Sequence, residues 1–207
     1  MAFITFEGIE GCGKSTQVRL LAARLGPRAL ETREPGGTTI GQAVRGIVLD
    51  PQTHGLAPMA ELLLYFADRA QHVAEVIRPA LADGRIVLCD RHVESSLAYQ
   101  GYGRGLPLDA IRALGALATG GLRPDAIVLL DVPVALGLQR ASRRGAQDRL
   151  EAEDLAFHER VRAGYDALAA LEPERWLRVD ARGPAEEVVE AVWRGLSRRG
   201  LIQGAAA

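Results

Sequence analysis

Asparagine is absent from the 207-residue sequence, and lysine occurs only once, as Lys14. Every other residue in the combined lysine and arginine count is therefore an arginine. GTPases read guanine with an N-K-x-D signature. This sequence cannot contain one, because it has no asparagine and its single lysine lies near the N-terminus. An arginine-rich composition without asparagine fits a heat-stable protein and a GC-rich genome equally well.

Cysteine is also scarce, and the two cysteines, Cys12 and Cys89, exclude a disulfide framework and a cysteine-rich metal cluster. No apolar run approaches the roughly 20 residues of a membrane helix, and the N-terminus lacks the basic start of a signal peptide. A formal net charge of −1 argues against a nucleic-acid or anionic-membrane partner held by bulk charge. We therefore expect a cytoplasmic protein with neither kind of partner.

Residues 8–15, GIEGCGKS, match the phosphate-binding pattern G-x-x-x-x-G-K-S/T. Its glycines let backbone N–H groups turn toward phosphate oxygens, and the helix that follows directs its positive end at the same anion. Lys14 is expected to reach the β- and γ-phosphates, and Ser15 to bind Mg²⁺. We expect an ATP site formed by Gly8, Ile9, Glu10, Gly11, Cys12, Gly13, Lys14, Ser15 and Thr16.

Short apolar runs alternate with helical patterns along the whole chain. The expected strands are 2–6, 28–32, 85–90, 125–131 and 176–180. The expected helices are 16–25, 40–49, 58–82, 93–101, 108–119, 134–144, 153–172 and 184–198, with Pro79 interrupting the third. The runs at 85–90 and 125–131 lack alternation, which is typical of parallel strands buried on both faces. We predict one α/β domain over residues 1–207, with a doubly wound parallel sheet and helices on both faces.

Polar residues follow several of these strands. Ligands of such sheets gather at the carboxyl ends of the strands. The phosphate-binding loop, Arg33, Glu34, Asp90, Arg91 and Asp131 should therefore share one edge. Asp90 ends a strand that we expect beside the first, where a carboxylate can hold nucleotide-bound Mg²⁺. Arg91 can offer a bidentate fork to a phosphate.

Residues 139–149, QRASRRGAQDR, form an arginine-rich segment between two helical patterns. Phosphoryl transfer depends on positioning and charge neutralisation, so this segment could close over a triphosphate as a lid at about 140–152. Its arginines are Arg140, Arg143, Arg144 and Arg149. A solvated basic helix end is the alternative interpretation.

The combined motifs at 8–15, 32–37 (TREPGG), 90–92 (DRH), 95–101 (SSLAYQG) and 140–149 resemble those of bacterial thymidylate kinases. The resemblance covers nearly the whole chain. It implies the P-loop nucleoside monophosphate kinase fold with a five-stranded parallel sheet. It also implies a homodimer that transfers the γ-phosphate of ATP to dTMP with Mg²⁺, giving dTDP for dTTP synthesis.

The same resemblance implies roles for individual residues toward dTMP. Its contacts would come from Glu10, Arg33, Tyr65, Arg69, Arg91, Ser96, Tyr99 and Gln100. Arg33 and Arg91 would hold the phosphate, and Glu10 would lie near the 3′-hydroxyl. Arg69 would meet a thymine carbonyl, while Ser96 and Gln100 would read the base edge. Tyr99 would exclude a ribose 2′-hydroxyl.

Catalysis would depend on Lys14, Asp90, Arg91, Arg144 and Arg149, with Arg144 the leading lid candidate. Arg140 and Arg143 would join the ATP site, and Ser15 and Asp90 would hold the metal. The family commonly has Phe where this chain has Tyr65, so either Tyr65 or the neighbouring Phe66 could stack on thymine.

Several alternatives remain open at this stage. Another small-acceptor kinase would use the same phosphate-binding loop, although a phosphate clamp argues against a nucleoside acceptor. A regulatory ATPase would hydrolyse ATP without an acceptor. His54, His72 and His158 fit no motif, and we expect them at the surface. Cys12 is expected to pack within the loop.

Overall fold

The computed structural model describes residues 1–143, 145 and 147–203. Five parallel strands form one sheet in the order β2-β3-β1-β4-β5. The strands are β1 (Ala2–Glu7), β2 (Ala29–Arg33), β3 (Ile86–Asp90), β4 (Ala126–Asp131) and β5 (Trp176–Asp180). The predicted parallel sheet is confirmed, and β3 lies beside β1 as expected.

Helices cover both faces of this sheet. They are α1 (Lys14–Leu25), α2 (Thr39–Val48), α3 (Pro58–His72), α4 (Arg78–Ala82), α5 (Val93–Ser96), α6 (Leu108–Thr119), α7 (Val134–Ser142), α8 (Leu155–Leu171) and α9 (Ala185–Arg198). Neighbouring residues of a strand point to opposite faces. Phe3 packs in one apolar cluster with Val87, whereas Ile4 and Leu88 pack in the other. Both faces are therefore buried, which explains the continuous apolar runs.

Two predicted helices contain wider π-helical turns. The predicted helix 58–82 is interrupted by a π-helical segment at Val73–Ile77, where the Arg78 N–H bonds to Val73 O. The interruption therefore precedes Pro79, whose ring nitrogen has no proton to donate to an α-helical bond. The predicted helix 93–101 is α5 followed by a second π-helical segment at Leu97–Gly103. Apolar spacing alone does not distinguish a π-helical turn from an α-helix.

The strand register brings the polar strand ends to one edge. Phe6 pairs with Asp90, and Asp90 pairs with Arg33 on the other side. Asp131 ends β4 on the opposite flank of β1. The predicted common edge is confirmed. Within the described residues, no helix is long and apolar enough to cross a membrane.

Candidate active site

The phosphate-binding loop connects β1 to α1 through three glycines with positive φ. Gly8, Gly11 and Gly13 have φ angles of 137°, 67° and 99°, which residues other than glycine rarely adopt. In the described structure, no side chain caps the start of α1, so its first amide groups remain available to an anion. Lys14 curls back over the loop, where its Nζ donates to Gly8 O at 3.0 Å and Ile9 O at 2.9 Å.

The loop lies directly against α7. A Cβ at Gly11 would lie 2.0 Å from Gly137 O, and a Cβ at Gly137 would lie 2.5 Å from Glu10 O. The backbones of the loop and of α7 are therefore so close that only glycine fits at both contact positions. Cys12 is buried as expected, and its Sγ lies 3.5 Å from Lys14 Nζ. The close approach of Gly11 and Gly137 holds the loop against α7.

Ser15 and Asp90 meet where α1 begins and β3 ends. Ser15 Oγ donates to Asp90 Oδ2 at 2.5 Å. Magnesium prefers oxygen ligands and is often held by few protein groups together with nucleotide phosphates. A hydroxyl and a carboxylate beside a phosphate-binding loop fit that requirement.

Arg91 stands at the centre of the polar edge in a conformation unusual for arginine. Its φ of 73° lies in the left-handed region, which costs free energy for a residue with a side chain. Its guanidinium donates to Gly8 O at 3.2 Å, Ser95 Oγ at 3.1 Å, Tyr165 OH at 3.2 Å, Glu10 Oε1 at 3.3 Å and Tyr99 OH at 3.0 Å. The surrounding groups therefore fix its position closely.

Glu10 is a buried carboxylate of the phosphate-binding loop. Tyr99 OH donates to its Oε1 at 2.5 Å, and His158 Nδ1 lies 3.2 Å from its Oε2. Burial would raise the pKa of Glu10, but His158 and the charge of Arg91 outweigh it and hold this pKa at about 2. Glu10 also raises the pKa of His158 against the effect of burial. The prediction that His158 lies at the surface is wrong, because it is fully buried.

Glu34 is the centre of a second buried network. Its oxygens accept from Arg69 Nε at 2.7 Å and lie 2.9 Å from His72 Nδ1 and 3.1 Å from His92 Nδ1. Burial would raise the pKa of Glu34, but Arg69 and the two histidines hold it well below its ordinary value. The surface prediction for His72 is therefore also wrong, whereas His54 is exposed as expected.

One cavity brings most of the predicted site residues together. From the predicted set, its lining includes Glu10, Gly11, Gly13, Lys14, Ser15, Thr16, Arg33, Tyr65, Arg69, Asp90, Arg91, Ser96, Tyr99 and Gln100. It also includes residues to which the sequence analysis assigned no role, namely Glu34, Pro35, Arg45, Leu49, Ser95, Asp148, Leu150 and Glu151. Gly8, Ile9 and Cys12 support the loop without lining the cavity.

Tyr65 and Phe66 have different surroundings. Tyr65 lines the cavity, whereas Phe66 packs in the core under the Arg69 guanidinium, 4.7 Å from its ring centroid. Arg69 itself is almost completely buried, and it also donates to Ser96 Oγ at 3.1 Å and His92 O at 2.9 Å. Of the two aromatic rings, Tyr65 is thus the one that a ligand in the cavity can reach.

Glu61 is a buried carboxylate on α3 that binds two of the predicted site residues. It accepts from Gln100 Nε2 at 2.8 Å and from Arg149 Nη2 at 2.5 Å. Arg149 also donates through Nε to Val48 O at 2.9 Å, so this predicted lid residue is tied to α2 and α3 and does not line the cavity. The arginine-rich segment was the signal for Arg149, but no sequence pattern indicated Glu61 as its partner.

The remaining predicted lid arginines are arranged differently. Arg140 donates to Ala181 O at 2.8 Å and Arg182 O at 2.7 Å, beyond the end of β5. Arg143 is exposed directly after α7. Arg144 lies outside the described residues.

Two arginines, Arg33 and Arg45, line the cavity close to each other. Arg33 is exposed, and its side chain makes no hydrogen bond or ion pair with another described residue. Arg45 lies nearby on α2, and burial together with the positive charge of Arg33 lowers its pKa. Because these cations repel each other, a bound anion such as a phosphate would stabilise both.

Comparisons with known proteins identify the family of this chain. Residues 6–192 match the family model described as thymidylate kinase. The chain is 53% identical to a thymidylate kinase of Desulfovibrio desulfuricans, with 96% of this chain and 98% of the relative covered. It is 55% identical to that of Deinococcus radiodurans, covering 96% and 97%. The crystal structure of thymidylate kinase from Ehrlichia chaffeensis superposes with a TM-score of 0.79 at 33% identity, covering 94% of this chain and 98% of that one. The chain therefore belongs to the thymidylate kinase family.

Proposed function

We infer that this chain is an ATP-dependent kinase that phosphorylates dTMP to dTDP, and we propose roles for the residues of its site. One observation carries the proposal. A single cavity is lined at one end by Gly13, Lys14 and Ser15 of the phosphate-binding loop and at the other by Tyr65 and Gln100. A phosphate donor and an acceptor with an aromatic ring can therefore bind in one cavity, next to the same cationic side chains.

At the donor end, the loop amides and Lys14 bind the β- and γ-phosphates of ATP. Phosphoryl transfer needs charge neutralisation more than covalent chemistry, so the Lys14 ammonium stabilises negative charge as the γ-phosphoryl group moves. Ser15 and Asp90 would hold Mg²⁺, which when bound supplies further positive charge to the phosphate oxygens.

At the acceptor end, Arg33 and Arg91 bind the phosphate of dTMP. Arg91 is held by oxygens on several elements, so little side-chain freedom is lost when it binds. The buried Glu10 carboxylate accepts a hydrogen bond from the sugar 3′-hydroxyl, and Tyr99 closes the space beside C2′. These contacts favour a deoxyribonucleotide monophosphate.

The thymine base binds in the part of the cavity that Tyr65 and Gln100 line. Tyr65 stacks on the ring, because it lines the cavity where Phe66 does not. Arg69 reaches a thymine carbonyl, and its guanidinium is oriented by Glu34. Ser96 and Gln100 complete the hydrogen bonds along the base edge, with Gln100 oriented by Glu61.

The segment at about 140–152 acts as a lid on the single kinase domain. Arg144 approaches the transferring phosphoryl group, while Arg140 and Arg143 serve the ATP side. Arg149 takes part in catalysis only when it leaves Glu61, its partner in the described structure. Closure of the lid would exclude water and favour transfer over hydrolysis.

An acceptor panel tests the proposal. We would measure turnover of ATP with dTMP, dUMP, thymidine and AMP, and without an acceptor. We expect the highest kcat/KM with dTMP. Preferred turnover of thymidine would indicate a nucleoside kinase instead. Equal turnover with and without an acceptor would indicate a regulatory ATPase.

We also propose that two copies form a homodimer through neighbouring helices. Several large apolar side chains are exposed on α2, α3 and α6, and these are Ile40, Ile47, Met59, Leu63 and Leu117. α3 packs against both α2 and α6, so the exposed residues belong to adjoining surfaces. Light scattering should give the mass of a dimer, and Leu63→Glu should reduce it to that of a monomer. The cytoplasmic location stays a prediction from sequence.

A further inference from the structure

Glu7 is a buried carboxylate that the proposed reaction does not use. It ends β1 immediately before Gly8, and its side chain is fully buried. Three donors surround it. His92 N–H donates to Oε1 at 2.8 Å, Ser95 Oγ donates to Oε2 at 2.5 Å, and Tyr165 OH donates to Oε2 at 2.9 Å. Burying a carboxylate costs free energy, and these three hydrogen bonds offset part of that cost.

The proton directions in this cluster follow from the chemistry of Glu7. An ionised carboxylate can only accept hydrogen bonds, and each hydroxyl carries one proton. Burial raises the pKa of Glu7 to about 7, so above that pH Ser95 and Tyr165 direct their protons toward Glu7. Their lone pairs remain for Arg91, whose Nη1 donates to Ser95 Oγ at 3.1 Å and to Tyr165 OH at 3.2 Å. Glu7 thus makes both hydroxyls acceptors for Arg91.

Glu7 also reaches Arg91 through the backbone. Arg91 has a φ of 73°, and the N–H of the next residue, His92, is the group that donates to Glu7 Oε1. The Arg91 N–H donates to Phe6 O at 3.0 Å, one residue before Glu7. The end of β1 therefore holds the main chain on both sides of the strained Arg91 conformation.

We propose that Glu7 is a positioning residue that orients the Arg91 guanidinium toward the acceptor phosphate. It acts through the Ser95 and Tyr165 hydroxyls and through the His92 amide. This inference rests on the proposed function, in which Arg91 binds the phosphate of dTMP. Glu7 itself contacts neither substrate.

Equilibrium binding of dTMP and thymidine at pH 8, where Glu7 is mostly ionised, tests this proposal. Glu7→Gln keeps the shape, but its amide nitrogen donates. In place of Oε2 the nitrogen would face both hydroxyls, and in place of Oε1 it would face the His92 N–H, so one of the two links to Arg91 is lost. We expect the Kd for dTMP to rise about tenfold, while the Kd for thymidine, which has no phosphate, changes less than about twofold. Equal weakening of both ligands, or an unchanged Kd for dTMP, would overturn the proposal.

Asp125→Asn is the matched control. Asp125 Oδ2 accepts from Phe3 N at 2.7 Å at the opposite end of β1, without a link to Arg91. We expect this variant to lower the melting temperature without changing the Kd for dTMP. If Glu7→Gln does not fold, Tyr165→Phe removes one bridging hydroxyl alone. It should raise the Kd for dTMP about threefold and leave the Kd for thymidine unchanged.

A double-mutant cycle separates this proposal from the proposed function. If Arg91 binds the acceptor phosphate, Arg91→Ala weakens dTMP binding, and adding Tyr165→Phe or Glu7→Gln causes little further loss. Full additivity would show that Glu7 does not act through Arg91, while leaving the role of Arg91 intact. An unchanged Kd for dTMP in Arg91→Ala would instead refute the proposed phosphate contact.

Discussion

The contact between the phosphate-binding loop and α7 can be tested by one methyl group. An alanine Cβ at Gly137 would lie 2.5 Å from Glu10 O and 2.9 Å from Ile9 Cδ1. Ordinary contacts begin at 3.4 Å, so the loop or the helix must retreat by roughly 0.9 Å. The Ile9 side chain can rotate, but a backbone oxygen cannot move without shifting the loop.

The expected free-energy change for Gly137→Ala combines two opposing effects. Replacing glycine by alanine inside a helix stabilises by about 1 kcal/mol, whereas overpacking costs about 1 to 3 kcal/mol. We therefore expect a net loss of about 1 kcal/mol in the free energy of unfolding. Because the shifted loop presents its amides less well to phosphate, kcat/KM for ATP should fall by roughly 10- to 100-fold.

Gly46→Ala is the matched control on another helix. Gly46 lies inside α2, where an added Cβ would meet nothing within 4 Å. This variant should gain up to about 1 kcal/mol in urea unfolding and keep the kinetics of the parent. If Gly137→Ala behaves like Gly46→Ala in both assays, the close packing of loop and helix is refuted.

Four further predictions concern the site and its buried charges. Lys14→Ala should lose most phosphoryl transfer with little change in melting temperature, and near-normal kcat would contradict the loop assignment. Arg144→Ala should lower kcat more than it raises the KM for dTMP, whereas a change in KM alone would make Arg144 an acceptor contact. Glu34→Gln leaves the buried Arg69 without its charge partner and should lower the free energy of unfolding in urea by about 3 kcal/mol. A decrease of less than about 1 kcal/mol would show that other groups compensate the charge of Arg69. Burial, and then the charge of Glu94, raise the pKa of Glu7 from 4.5 to about 7. Protonated Glu7 therefore stabilises the folded state fully below pH 4.5, and this stabilisation is lost as the pH rises through about 7. Glu7→Gln cannot ionise, so its stability relative to the parent should improve by up to about 3 kcal/mol between about pH 5 and pH 8, and a constant difference would refute the raised pKa.

Local patterns in the sequence were sufficient for the fold and for the phosphate-binding loop. The apolar run before Asp90 indicated a central parallel strand, and the structure confirms its position beside β1. The glycines and Lys14 lie within one short segment, so their arrangement depends little on distant parts of the chain. Arg33 and Arg91 lie far apart in the chain, but Arg33 ends β2 and Arg91 follows β3, so the parallel-sheet prediction was sufficient to place them at one edge.

Long-range partners could not be predicted from local patterns. Glu34 meets His72 and His92 only because β2, α3 and the end of β3 converge, and isolated histidines give no sequence signal for burial. Glu61 meets Arg149 across 88 positions of the chain. Glu7 lies one residue beyond the predicted strand 2–6, and its side-chain donors come from α5 and α8.

The most direct test of the account follows both products of the reaction. Purified protein would be mixed with ATP, Mg²⁺ and dTMP, and the formation of ADP and dTDP would be measured together. The account predicts that both form at the same rate, that neither forms without dTMP, and that AMP gives much less turnover. ADP formation without dTDP would contradict it, because the phosphate-binding loop would then act with another acceptor or with water.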